Sequence, residues 1–269
     1  MGTWLEELGV YRRLIGAAVR GQMQYRTSFW IGAFTDTFTL LSEFLPIYFL
    51  VLKFGKLQGW SILELALLYG MVRTSWNLVE TFCNGFEAFA QILVRGELDR
   101  LLLRPRSLLT QIAANNFQLR RLGGVLQSLF VLLIGIVGLQ LGALSVAWIT
   151  LGVLGGTTFF VGILMLGAAS QFITLGQTSE LQNMLTYGGS TTLTYPVSIY
   201  QNWFRRVVTY LIPLAFVNYF PALAALGRVE EAGFPTWLPA LSPLVCATVM
   251  LLGQLAFTAG LRRYESTGS

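Results

Sequence analysis

Two groups of residues in this chain could do chemistry, and both are made of charge set in an apolar background. The first is the run Gly96-Glu97-Leu98-Asp99-Arg100-Leu101-Leu102-Leu103-Arg104-Pro105-Arg106. Glu97, Asp99, Arg100, Arg104 and Arg106 offer both signs of charge for pairing across an interface. Leu98, Leu101, Leu102 and Leu103 offer apolar area that is awkward in free solution. Pro105 ends any helix formed there. The second group is Asp36, Glu43, Arg73, Asn77 and Glu80, which fall inside long apolar segments. Charges at membrane depth are costly and pair with one another or face a cavity. Asp36 and Glu43 are seven apart and share a helix face, as do Arg73, Asn77 and Glu80. At a rise of 1.5 Å per residue, Asp36 lies roughly 10–12 Å and Arg73 roughly 15 Å from one membrane surface. An Asp36–Arg73 pair is therefore expected. A buried ion-pair network fastening two helices and a polar lining of a substrate path both fit these residues. A proton relay fits less well, since neither acids nor His continue the series in the later segments.

The composition sets the elements that must position these groups. The chain has 269 residues, 54% of them apolar and only 12% charged, with no His and two Cys. Soluble domains carry about 25% charged residues. Runs such as Leu40 to Leu52 and Leu129 to Leu139 are too continuous for the alternating strands of a membrane barrel. The class is all-α integral membrane. Expected spans are 29–52, 60–83, 122–141, 147–176, 203–226 and 241–261, with residues 1–27 as a basic amphipathic interfacial helix. Gly152, Gly155, Gly156, Gly162 and Gly167 prepare the fourth span for close helix approach. No second domain and no repeat of the two halves is evident. The N-terminal residues read as part of the mature protein, since they lack the short apolar core of a signal peptide.

Six spans put both termini on one side. Fourteen Arg fall in the N-terminal segment, 84–121, 177–206 and the tail, against Lys53, Lys56 and Arg228 in the opposite loops. By the positive-inside rule the termini and the 91–109 loop are cytoplasmic. The net charge of +5 follows from the same rule, and a nucleic-acid partner is not expected.

No GxxxxGK[ST], HExxH, GxSxG or Cys/His array occurs. The acids are scattered rather than clustered at one depth, so an enzyme is not expected. Transport then needs either ion coupling through Asp36, Glu43 and Arg73, as a secondary transporter or channel, or an external ATPase docked on the cytoplasmic face.

The order of features resembles the ABC-2 type permeases, in the short six-span bacterial form without a fused ATPase. The resemblance runs nearly end to end. It rests on the interfacial N-terminal helix, the 96–105 run, Tyr195-Pro196-Val197-Ser198-Ile199-Tyr200, the segment from Ile212 to Ala222, and the tail from Arg263. It implies an exporter in the bacterial cytoplasmic membrane that moves a hydrophobic or amphipathic substrate. The pathway would be formed by this chain and a second permease, same or related. Two ATPase subunits would bind beneath, and ATP and Mg would sit in those subunits with no cofactor in this chain. It also implies a coupling helix within 91–109, with Glu97, Leu98, Asp99, Arg100, Leu101, Arg104 and Arg106 facing the ATPase. Finally, it implies short re-entrant helices near the outer end of the fifth span, where Pro213, Pro221 and Gly227 interrupt the helix.

Overall fold

The computed structural model describes residues 4–24, 55–174 and 180–264, together with scattered positions between 27 and 53. Its regular elements are helical: α1 (Trp4–Gln22), α2 (Ile62–Phe82), α3 (Phe89–Val94), α4 (Glu97–Leu102), α5 (Leu108–Ala114), α6 (Leu122–Gly138) and α7 (Ala143–Thr174). Then comes α8, which begins as Glu180–Asn183, widens into a π-turn over Met184–Gly188 and continues through Gly189–Thr192. Two short arms follow, Asn202–Leu211 and Leu214–Ala225, bent by 71° at the break between them. The last helix is α9 (Ser242–Arg262).

The hub is α2. Leu65 to Asn77 are all buried although the helix carries Glu64, Arg73 and Glu80. It starts on a capping box: Ser61 Oγ accepts from the Glu64 amide, and the Ser61 amide donates to Glu64 Oε2 at 2.7 Å. Antiparallel to it lies α6, tied by Asn77 Nδ2, which donates to the Gly124 carbonyl at 2.8 Å and to Ser128 at 3.3 Å. By length and apolarity, Ala143–Thr174 and Leu238–Arg262 are long enough to cross a membrane, and the bent pair makes a third if counted as one. α6 is apolar but only 17 residues long. The charges of α2 keep it from reading as an apolar span, yet it is the helix most enclosed by protein.

α7 and α9 run side by side in the same direction. Gly155 faces Cys246, Gly162 faces Gly253, and Phe172 faces Phe257. A Cβ on Gly253 would stand 2.4 Å from the Gly162 carbonyl oxygen, so this crossing depends on glycine there. Two helices running the same way need a crossing in between. That crossing is α8, placed where a polar cytoplasmic stretch was expected. Gln182 lies against Phe86, and Tyr187 against Trp76 at 5.3 Å. Leu193 is joined to Leu68 through Asn218. Ser198 accepts from the Trp60 indole at 3.3 Å. Residues 180–198 thus travel the whole length of α2, from its Phe82 end to its Trp60 end.

The expected fifth span, 203–226, is two arms with a bend of 71° between them. The arms form a hairpin against the body. Arg205 on the first arm and Leu223 and Arg228 at the end of the second line one cleft with Trp60, so both arms open at the Trp60 end. The turn at Ile212–Pro213 reaches inward, where Leu214 meets Gly189 and Val217 meets Gly156. Proline removes a backbone donor and forces the break. Asn218, fully buried near the turn, donates to the Leu193 carbonyl past the end of α8 at 2.8 Å and, as a second bond, to the Leu68 carbonyl within α2 at 3.2 Å. Arg205 and Arg206, counted with the cytoplasmic group from the sequence, therefore lie at the opposite end from Arg104 and Arg121.

Candidate functional site

The 91–109 loop is two short helices rather than one. Gly96 adopts φ of 64°, a left-handed conformation that glycine takes without strain, and this turn separates α3 from α4. Both helices are bolted to the body at the Phe82 end. Phe89 packs edge-on against Phe172 and Phe257 with ring centres 5.2 Å apart in each pair, a geometry favoured by the ring quadrupoles. Leu98 is fully buried. Gln111 Nε2 donates to the Leu101 and Arg106 carbonyls at 3.2 and 3.3 Å, which pins the turn after α4. The Ser107 amide donates to Glu7 of α1 at 3.3 Å. α1 is itself held by Tyr11, whose hydroxyl donates to the Phe82 carbonyl, and by Gln22, which donates to Phe117 and accepts from the Leu119 amide.

What remains outward is a distinct subset of the expected residues. Arg100, Arg104 and Arg106 are exposed. Glu97 is half-buried and sits 3.8 Å from Arg100, a solvent-screened pair of small worth. Leu101 is half-buried. Leu98 faces the chain's own core and is withdrawn from any partner. Asp99 lies beside Tyr264 at the chain's own C-terminal end, and burial together with that carboxylate pushes the Tyr264 hydroxyl above the usual phenol range. The exposed apolar side chains here are Val94, Leu102 and Leu103, the last 85% exposed. Val94 and the exposed Arg95 lie just before the charged run and were not singled out from the sequence. Their exposure follows from the left-handed turn at Gly96, which swings α4 away from the line of α3.

The intramembrane group is divided by the fold. Asp36 and Glu43 lie outside the described residues, and with them the expected Asp36–Arg73 pair. Arg73 is buried, with its guanidinium 5.7 Å from the Tyr69 ring centre. Asn77 turns to α6 as described above. Glu80 pairs with Arg121, the residue that enters α6. Tyr187 joins this cluster from α8: its hydroxyl donates to Glu87 and lies 3.4 Å from Glu80. At the other end Glu64 pairs with Arg228 at 2.8 Å, and Arg228 also reaches Glu231 at 3.2 Å and stacks over Trp60 at 5.0 Å. Neither Arg121 nor Arg228 was matched to an acid from the sequence. The signal was present for the first pair, since antiparallel neighbours place Glu80 and Arg121 at the same end.

Among the described residues, no group of three His, Cys, Asp or Glu could hold a metal. The chemistry available is docking and charge pairing at the Phe82 end, and helix fastening within the body.

A protein-family model described as ABC-2 family transporter protein matches residues 38–268. No curated protein and no solved structure matches the chain.

Proposed function

Because the chain belongs to the ABC-2 family of transporter proteins, a family of membrane permeases that work with an ABC ATPase, we propose that it is the permease half of an ATP-driven exporter in a bacterial cytoplasmic membrane. The ATPase seats against α3, α4 and the 103–106 turn. The observation that carries this is the combination of a rigidly fastened loop with exposed Val94, Leu102 and Leu103 among Arg95, Arg100, Arg104 and Arg106. A partner that moves on nucleotide binding can push only on an element that does not yield. The buried Leu98 and the Phe89–Phe172–Phe257 stack carry such a push into α7 and α9.

This chain has no nucleotide-binding loop, so it is the non-catalytic subunit, with ATP and Mg in two ATPase copies. Orientation follows from charge. With Arg205 and Arg206 moved to the Trp60 end, eleven basic residues among those described lie at the Phe82 end or in the segments joined to it, against five at the other. That bias makes the Phe82 end cytoplasmic. α8 supports a pathway or second permease chain beside it. Its outward stripe is Asn183, Met184, Tyr187, Gly188 and Thr191, whereas α6 presents Leu126, Phe130, Leu133 and Val137 to the lipid. Apolar walls beside such a stripe suit a hydrophobic or amphipathic cargo. Glu64 and Glu80 are both held in ion pairs, which suits fastening helices; an ion-coupled transporter would instead work through Asp36, Glu43 and Arg73.

The test is co-purification with the cognate ATPase and transport in reconstituted vesicles. Leu103→Asp with Arg100→Glu should abolish ATPase retention while membrane insertion and thermal stability stay near wild type. Undiminished retention and transport in that variant would remove the docking assignment.

A further inference from the structure

We propose that the hairpin carries a binding site for the phosphate headgroup of an anionic phospholipid at the Trp60 end of the molecule. The site is a cleft of about 310 Å³ lined by Asn202, Arg205, Arg206, Thr209, Tyr210 and Phe234. It has two guanidinium groups and no acidic side chain among the described residues. Among the described residues neither arginine forms an ion pair; Glu231, which lines the adjoining cleft with Arg205, is paired with Arg228, which Glu64 also holds. Arg205 lies 5.2 Å from the Phe234 ring centre, so its planar fork is held by stacking with its donors left for a ligand. Guanidinium groups bind phosphate oxygens in pairs of parallel hydrogen bonds. The amide of Asn202 and the hydroxyls of Thr209 and Tyr210 add donors of the same polarity.

The surroundings choose between a lipid and a free anion. Trp203, Tyr210, Leu211 and Trp237 are all more than half exposed around this cleft. Exposed Trp and Tyr beside basic residues are the pattern of a membrane–water interface. A headgroup can enter the cleft from the side while its acyl chains lie against that aromatic rim. The inference rests on the chain being membrane-embedded but not on its coupling to an ATPase.

The test uses the full-length chain in detergent, with phosphatidylglycerol and phosphatidylcholine as probes. Lipid retention is read by native mass spectrometry, and inorganic phosphate is added in a parallel thermal-shift assay. Wild-type protein should retain phosphatidylglycerol in preference to phosphatidylcholine. Arg205→Gln and Arg206→Gln should each reduce that preference about fivefold, the ratio expected from about 1 kcal/mol of attraction per basic residue. Arg205→Lys should restore part of it, and Arg262→Gln with Arg263→Gln, at the other end, should leave it unchanged. Circular dichroism identifies a misfolded Gln variant, and in that case the Lys variant decides by itself. Equal retention of both lipids by wild type, or a preference untouched by the Arg205 and Arg206 changes, overturns the proposal. Stabilisation by inorganic phosphate without selective lipid retention overturns the lipid assignment in favour of a soluble anion.

Discussion

At the scale of single residues, charge in this chain is spent on fastening. Glu80 and Arg121 join α2 to α6, with their side chains 15% and 22% exposed. Breaking a shielded pair leaves one charge without compensation, and this costs more than the pair itself contributes. Arg121→Met should therefore lower stability by about 1–3 kcal/mol, given the partial exposure of both groups. The double change Glu80→Met with Arg121→Met should recover a large part of that loss. Thermal unfolding of the four forms in detergent gives the coupling energy, and simple additivity would show that the pair is not a unit. Leu98 illustrates the limit of reading residue types. Four leucines beside charges looked like one apolar surface, yet Leu98 is fully buried and Leu103 is 85% exposed. Nothing in the residue type separates them; five positions apart along α4 and its C-cap, they point to opposite sides of the helix.

At the scale of elements, the hairpin and α8 are the pieces that sequence placed least well. Tyr195-Pro196, Pro213, Pro221 and Gly227 were visible as interruptions, and the expectation of re-entrant helices came from the resemblance. The polar content of 177–202, however, read as a loop. Its residues 180–192 are α8, whose inner face is satisfied by bonds within the protein and whose outer stripe sets Asn183, Tyr187 and Thr191 beside Met184. Asn218 holds the hairpin turn against both α2 and α8. Asn218→Leu removes two donated hydrogen bonds and leaves two buried carbonyls without this partner. The Leu68 carbonyl keeps its bond within α2, so the expected loss is about 1–3 kcal/mol for the Leu193 carbonyl, read as a lowered unfolding temperature. Asn218→Asp should fare no better, because a carboxylate cannot donate to the two carbonyls. A neutral Asn218→Leu would mean that the hairpin is held by its proline turn and apolar contacts alone.

At the scale of the whole molecule, the structure exchanges the roles of two segments without changing where the chain ends. Residues 180–198 run the length of α2, and the hairpin of 202–225 opens at the Trp60 end. Accessibility can check this in intact membranes. In a Cys83→Ala, Cys246→Ala background, Trp203→Cys and Arg228→Cys should react with a membrane-impermeant thiol reagent from the same side. Arg104→Cys should react only from the other. Labelling of Trp203→Cys together with Arg104→Cys would restore the arrangement expected from sequence and undo the hairpin assignment, and with it the location of the proposed lipid site.

The sequence by itself determined the class, because too few charges are present to cover a soluble body of this size. It also determined the charge bias between the two ends and the family, because long apolar runs, Arg placement and ordered motifs are local properties. Only the tertiary structure decided that residues 180–198 run the length of α2 while 202–225 bend into two arms. That choice depends on partners distant in the chain: α8 is satisfied by Phe86 and Asn218, and the hairpin by α2 and α7. It likewise decided which charges meet, Glu80 with Arg121 and Glu64 with Arg228. Glu80 meets Arg121 because α2 and α6 run antiparallel, whereas Glu64 meets Arg228 because the second arm ends beside the start of α2.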